Sequence, residues 1–116
     1  MSDAQIRDLL DRFNAAWGAH DLDATLALCT DDVVFESTGP APDGQRHEGK
    51  HAVRAAWKPI FDDERATFEA EDAFSAGDER YVQLWRYDFG DGHVRGVDVF
   101  RVRGGKVAEK FSYVKG

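Results

Sequence analysis

The chain has 116 residues, 42% of them apolar, with 22 acidic and 15 basic side chains and a formal net charge of −7. That length holds one modest core and not two, so residues 1–116 are expected to form a single domain. The acidic balance excludes a nucleic-acid backbone or an anionic membrane surface as partner, and no apolar run approaches the roughly 18 residues of a membrane span.

Residues 3–18 read as a helix, because Ile6, Leu9, Leu10, Phe13 and Trp17 recur at helical spacing and form one apolar stripe. Ser2 or Asp3 can cap its start and Gly18 can end it. Asp21 then reads as the cap of a shorter helix through Cys29, with Leu22, Leu26 and Cys29 turned inward. Val33-Val34-Phe35-Glu36 is a short strand, and the turn-rich run from Ser37 to Gly44 is a loop. A third helix is expected from about Lys50 to Trp57, with Val53, Ala56 and Trp57 inside; Pro59 should kink or end it.

From residue 67 the apolar period changes to two. Phe68, Ala70, Asp72 and Phe74 alternate with their neighbours, and Gly77-Asp78 turns the chain. Tyr81, Gln83, Trp85, Tyr87 and Phe89 share one face of a long strand, and Gly90-Asp91-Gly92 is a hairpin signal. Arg95 to Arg103 forms the next strand, Gly104-Gly105 the next turn, and Val107 to Val114 the last strand. Helices followed by an antiparallel meander mean an α+β fold, with helices packed on one face of a bent sheet.

Asp98 breaks the pattern of its own strand. It shares a face with Phe100 and Val102, while Val97 and Val99 occupy the other. A carboxylate among apolar residues raises its pKa, finds a partner or reaches a cavity, and a raised pKa near neutrality suits a general acid or base. The alternative is an Asp that bonds a neighbouring strand and has no chemical role. Phe13, Trp17, Trp57, Trp85, Tyr87, Phe100, Phe111 and Tyr113 are many aromatics for so short a chain. They either line a pocket for a flat, apolar ligand or pack the core. Tyr87 and Tyr113 add a hydroxyl that a ligand can use.

The four histidines suggest no metal site. His20 and His93 are expected in solvent, and Gly49 interrupts any helix between His47 and His51, which leaves His47 only as a pocket-mouth residue. Ser37 lacks a histidine to activate it. Lys106, Lys110 and Lys115 read as a solvated face of the last strand. Cys29 is the only cysteine, so no intrachain disulfide can form, which fits a reducing cytoplasm; the segment from Met1 to Gln5 does not read as a secretory leader.

The stretches Phe13 to Asp23, Asp31 to Glu36, Gly49 to Trp57, Arg95 to Val102, Gly105-Lys106-Val107 and Ser112-Tyr113 resemble the nuclear transport factor two-like superfamily. The resemblance is to its SnoaL-like and ketosteroid-isomerase-like branch. It implies a cone-shaped roll, with three N-terminal helices packed on a strongly curved, mostly antiparallel sheet that encloses a pocket. It also implies a homodimer formed through the outer sheet face, a small apolar organic ligand and no cofactor. Asp98 falls where ketosteroid isomerases carry a late-strand aspartate and SnoaL-like cyclases an acid or base. Phe13 stands in place of the isomerase tyrosine, and Ser37 in place of the basic aspartate. The expected pocket is therefore Asp98 with Phe13, Trp17, Ser37, Trp57, Trp85, Tyr87, Phe100 and Tyr113. The expected activity is that of an isomerase, cyclase or hydrolase, or else non-catalytic ligand binding or dimerisation on the same fold.

Overall fold

The computed structural model describes residues 1–116. Helix α1 spans Asp3–Gly18, and a capping box closes its start: Ser2 accepts from the Gln5 amide while Gln5 accepts from the Ser2 amide. Its buried stripe is Ile6, Leu9, Leu10 and Phe13. Helix α2 spans Leu22–Ala27, capped by Asp21. Strand β1 spans Cys29–Glu36 and β2 Arg46–Glu48, followed by helix α3 at Lys50–Asp62. Strands β3 Thr67–Gly77, β4 Arg80–Asp88, β5 His93–Arg103 and β6 Lys106–Val114 complete the chain.

The six strands form one mixed sheet in the order β2-β1-β6-β5-β4-β3, which does not close on itself. All neighbours are antiparallel except β1 and β6. The core lies between helices and sheet, where Leu9, Phe13, Val53 and Trp57 meet Val33, Tyr81, Phe100 and Val102. No helix is long and apolar enough to cross a membrane.

Three local expectations are corrected, and one strand is added. The second helix stops at Ala27, because Cys29 pairs with Val107 and opens β1. The third helix continues past Pro59 to Asp62. Pro59 and the residue four before it, Ala55, are both exposed, so solvent can satisfy the carbonyl that the missing amide leaves free. Residues 46–48, beyond the expected loop, form a further edge strand against β1. His20 is half-buried, and its ring nitrogens lie 3.0 and 2.9 Å from the Phe61 and Ala66 carbonyls. It ties the α1–α2 turn to the segment that leaves α3.

The decisive irregularity is in β6. Arg101 pairs with Glu109 but Val102 pairs with Val107, so Ala108 is an extra residue. Val107 and Ala108 are consequently both buried. A bulge of one residue exchanges the two faces of the strand beyond it.

Candidate functional site

A cavity of about 310 Å³ opens between the helices and the inner face of the sheet. α1 contributes Trp17, β1 contributes Phe35 followed by Ser37 and Thr38, and α3 contributes Ile60. Phe68, Trp85, Tyr87, Phe89 and Val94 line the side formed by β3, β4 and the β4–β5 hairpin. Asp98, Lys110 and Ser112 form its polar part.

Those three residues are joined. Asp98 faces Ser112 across the β5–β6 ladder, and the Ser112 hydroxyl donates to Asp98 Oδ1 at 2.6 Å. Lys110 Nζ donates to Ser112 Oγ at 3.0 Å and lies 3.3 Å from Asp98 Oδ2. The side chains are 1% exposed for Asp98 and 8% for Lys110, so solvent screens the pair little. The same ammonium sits over two aromatic faces, 4.7 Å from the Trp17 ring centre and 5.1 Å from that of Phe35. Removing two ions from water costs several kcal/mol each, and close pairing with added hydrogen bonds offsets it.

The placement of Lys110 overturns its expected position on a solvated face. Without the Ala108 bulge, Phe111 and Tyr113 would point inward and Lys110 outward. With it, Lys110 and Ser112 enter the cavity, and Tyr113, 56% exposed, stands on the outer face beside Val97. Tyr113 therefore does not line the cavity. Phe13, Trp57 and Phe100 do not line it either. All three are buried in the core, with Phe13 edge-on to Trp57 and Phe100 at 6.1 and 5.6 Å.

Trp17, Ser37, Trp85, Tyr87 and Asp98 do lie on the cavity. Ser37 is occupied, since its hydroxyl donates to the Gly39 carbonyl at 2.7 Å and accepts from the Gln45 amide at 3.0 Å. It holds the β1–β2 loop closed, where Gly44 at φ 71° leaves no room for a Cβ against the Ser37 carbonyl. Burial, with Asp63 nearby, pushes the Tyr87 phenol up, so it remains a neutral donor. Trp85 lies opposite Gly96, and its ring occupies the space that a Cβ at Gly96 would need. His47 stacks on Phe35, its partner across the β1–β2 ladder, with ring centres 5.8 Å apart.

Lys110, Ser112, Phe35, Thr38, Ile60, Phe68, Phe89 and Val94 line the cavity without having been expected there. Ala108, Lys110 and Ser112 do alternate, so the signal existed, but choosing their face required the bulge.

A family model for the SnoaL-like domain matches residues 10–110. No curated protein matches the chain. Among solved structures, an NTF2-like protein of unknown function from Mesorhizobium loti is 39% identical, with 97% of this chain and 93% of that one covered and a TM-score of 0.87. A Mycobacterium tuberculosis protein in complex with estradiol-17beta-hemisuccinate is 28% identical, with 94% and 92% covered and a TM-score of 0.77. A computationally designed 17-OHP binder is also 28% identical, with 96% and 91% covered and a TM-score of 0.80.

Proposed function

The chain belongs to the SnoaL-like domain family, and on that premise we propose that it binds a small, flat, mostly apolar molecule in the cavity and exchanges a proton with it through Asp98. The observation that carries this reading is a carboxylate on the wall of an apolar cavity, paired with Lys110 and Ser112. Asp98 is the proton acceptor, since a carboxylate facing an ammonium keeps lone pairs and offers no hydrogen. Lys110 supplies positive charge where negative charge develops on the substrate. Trp17, Trp85 and Tyr87 wall the ligand, and Phe13, Trp57 and Phe100 support that wall from the core. One solved structure at 28% identity is a complex with estradiol-17beta-hemisuccinate and another is a designed 17-OHP binder, which supports a polycyclic, apolar occupant.

The test is a titration of wild type and Asp98→Asn with estradiol-17beta-hemisuccinate and other polycycles, followed by a turnover screen on those that bind. Binding by both proteins with turnover lost in Asp98→Asn supports the reading. Turnover unchanged in Asp98→Asn removes Asp98 from the chemistry.

One observation favours a second reading, ligand binding without catalysis. Both Asp98 oxygens already have partners and the residue is 1% exposed. Binding without turnover of any ligand supports it. The homodimer implied by the family is also proposed, through the outer face where Leu84, Tyr113 and Val114 are exposed beside Val97. Sedimentation of Val99→Asp as a folded monomer, against a wild-type dimer, is the expected result; a monomeric wild type overturns it.

A further inference from the structure

The buried stripe of α1 meets the sheet through apolar side chains, but Asn14 meets it through two hydrogen bonds. Asn14 Nδ2 donates to Gln83 Oε1 at 2.7 Å, and Gln83 Nε2 donates to Asn14 Oδ1 at 3.1 Å. Asn14 is half-buried and Gln83 is buried. A buried primary amide needs partners, and here each amide satisfies the other. Gln83 lies opposite Asp98 in the β4–β5 ladder, and Asn14 lies one helical turn before Trp17 on the same side of α1. The pair therefore ties the strand beside the acid to the turn of α1 that carries the tryptophan.

We infer that Asn14 and Gln83 are positioning residues of the site: their paired amides fix the rotation of α1 that lays Trp17 over the Lys110 ammonium. The consequence for a ligand rests on the proposed function; the positioning itself does not. The two rings on that ammonium are held in different ways. Phe35 pairs with Lys110 in the β1–β6 ladder, so backbone bonds of the sheet place it. Trp17 comes from a helix, and Trp57 and Phe61 of α3 meet it edge-on, with ring centres 5.1 and 4.7 Å away. Apolar contact is non-directional and survives a small turn of the helix, whereas a hydrogen bond weakens steeply off line. The other polar ties lie at the two ends of α1. Asp3 and Arg7, bonded to the Tyr81 hydroxyl and the Ala73 carbonyl, are towards its start, and His20 is beyond its end. Trp17 also lines both the cavity and a void of about 10 Å³ beside His20, so a turn of α1 would change the shape of the cavity as well as the surroundings of the ammonium.

The test is the double variant Asn14→Leu/Gln83→Met, which removes both amides together and leaves neither orphaned. In wild type, NOEs should link the Lys110 ε-methylene to both Trp17 and Phe35, and ring currents should move that methylene upfield of those of the other lysines. In the folded double variant the NOEs to Trp17 are expected to be lost and those to Phe35 kept, with part of the upfield shift gone. Tyr81→Phe, which loosens α1 at its start, is expected to keep both sets. If the double variant does not fold, Asn14→Ala is read in its place with the same outcomes. Binding of estradiol-17beta-hemisuccinate should weaken at least about fivefold in the double variant, the scale of one misplaced aromatic contact. NOEs between Trp17 and Lys110 that persist in the double variant, or that are lost equally in Tyr81→Phe, overturn the positioning role. Unchanged affinity with those NOEs lost overturns its consequence for the ligand. No binding to wild type, with the NOEs as expected, overturns the proposed ligand and leaves the positioning role standing.

Discussion

Lys110 stands 3.3 Å from Asp98 with the hydroxyl of Ser112 bonded to both, and neither charge has appreciable access to water. Each ion tolerates burial only because the other is present. Replacing Lys110 alone by Met leaves an uncompensated carboxylate in an apolar setting and is expected to cost about 3–5 kcal/mol. The double variant Lys110→Met/Asp98→Asn should recover a large part of that loss. Urea unfolding of wild type, both single variants and the double variant gives the coupling directly. A double-variant loss equal to the sum of the two single-variant losses would mean that the charges are not coupled.

Gly96, opposite Trp85 in the β4–β5 ladder, tolerates no side chain. A Cβ there would lie 2.2 Å from the Tyr113 carbonyl and 2.5 Å from the Trp85 ring. The first obstacle is backbone in the β5–β6 ladder, so rotamer changes cannot relieve it. Gly96→Ala should destabilise by about 1–3 kcal/mol, in the range of overpacked cores, and shift the emission of Trp85. Unchanged stability and emission would show that β6 can move aside at Tyr113.

Asp3 gives the fold a contribution that depends on pH. Its carboxylate accepts hydrogen bonds from the Tyr81 hydroxyl and from Arg7 Nε, the latter at 3.1 Å. The Tyr81 hydroxyl above all, with Arg7 adding to it, holds the Asp3 carboxyl below the usual carboxylate range against the opposing effect of burial. A lowered value in the folded state means stabilisation present above the unfolded value of roughly 4, and lost as pH falls through the folded value. The difference in Tm between wild type and Asp3→Asn should therefore be largest near neutrality and shrink below about pH 4. A difference of the same size at pH 2 and pH 6 would contradict this assignment.

Much of the architecture was legible because the relevant signals are local. The stripe Ile6, Leu9, Leu10, Phe13 repeats at the helical period and becomes the buried face of α1. Tyr81, Gln83 and Trp85 alternate along β4 and are all buried, and Asp98, Phe100 and Val102 do the same along β5. An inward Asp98 follows from that alternation alone. So does the α+β class, since three helices precede a run of hairpins.

The partner of Asp98 was not legible, because it depends on how two strands count against each other. Alternation read along β6 from Val107 places Phe111 and Tyr113 inside. The structure places Ala108 as an extra residue opposite the Arg101–Val102 step, and the assignment reverses. Similarly, Cys29 looks like the end of a helix until Val107 is brought beside it.

The amino-acid order by itself determined where helices and strands form and that a carboxylate would face the core, because each follows from periodicity within one segment. Only the tertiary structure decided that Lys110 and Ser112 meet that carboxylate while Phe13, Trp57 and Phe100 stay behind the cavity wall. The physical reason is that a bulge is set by pairing across the sheet, and one residue of register carries an ammonium from solvent to a site between Trp17 and Phe35.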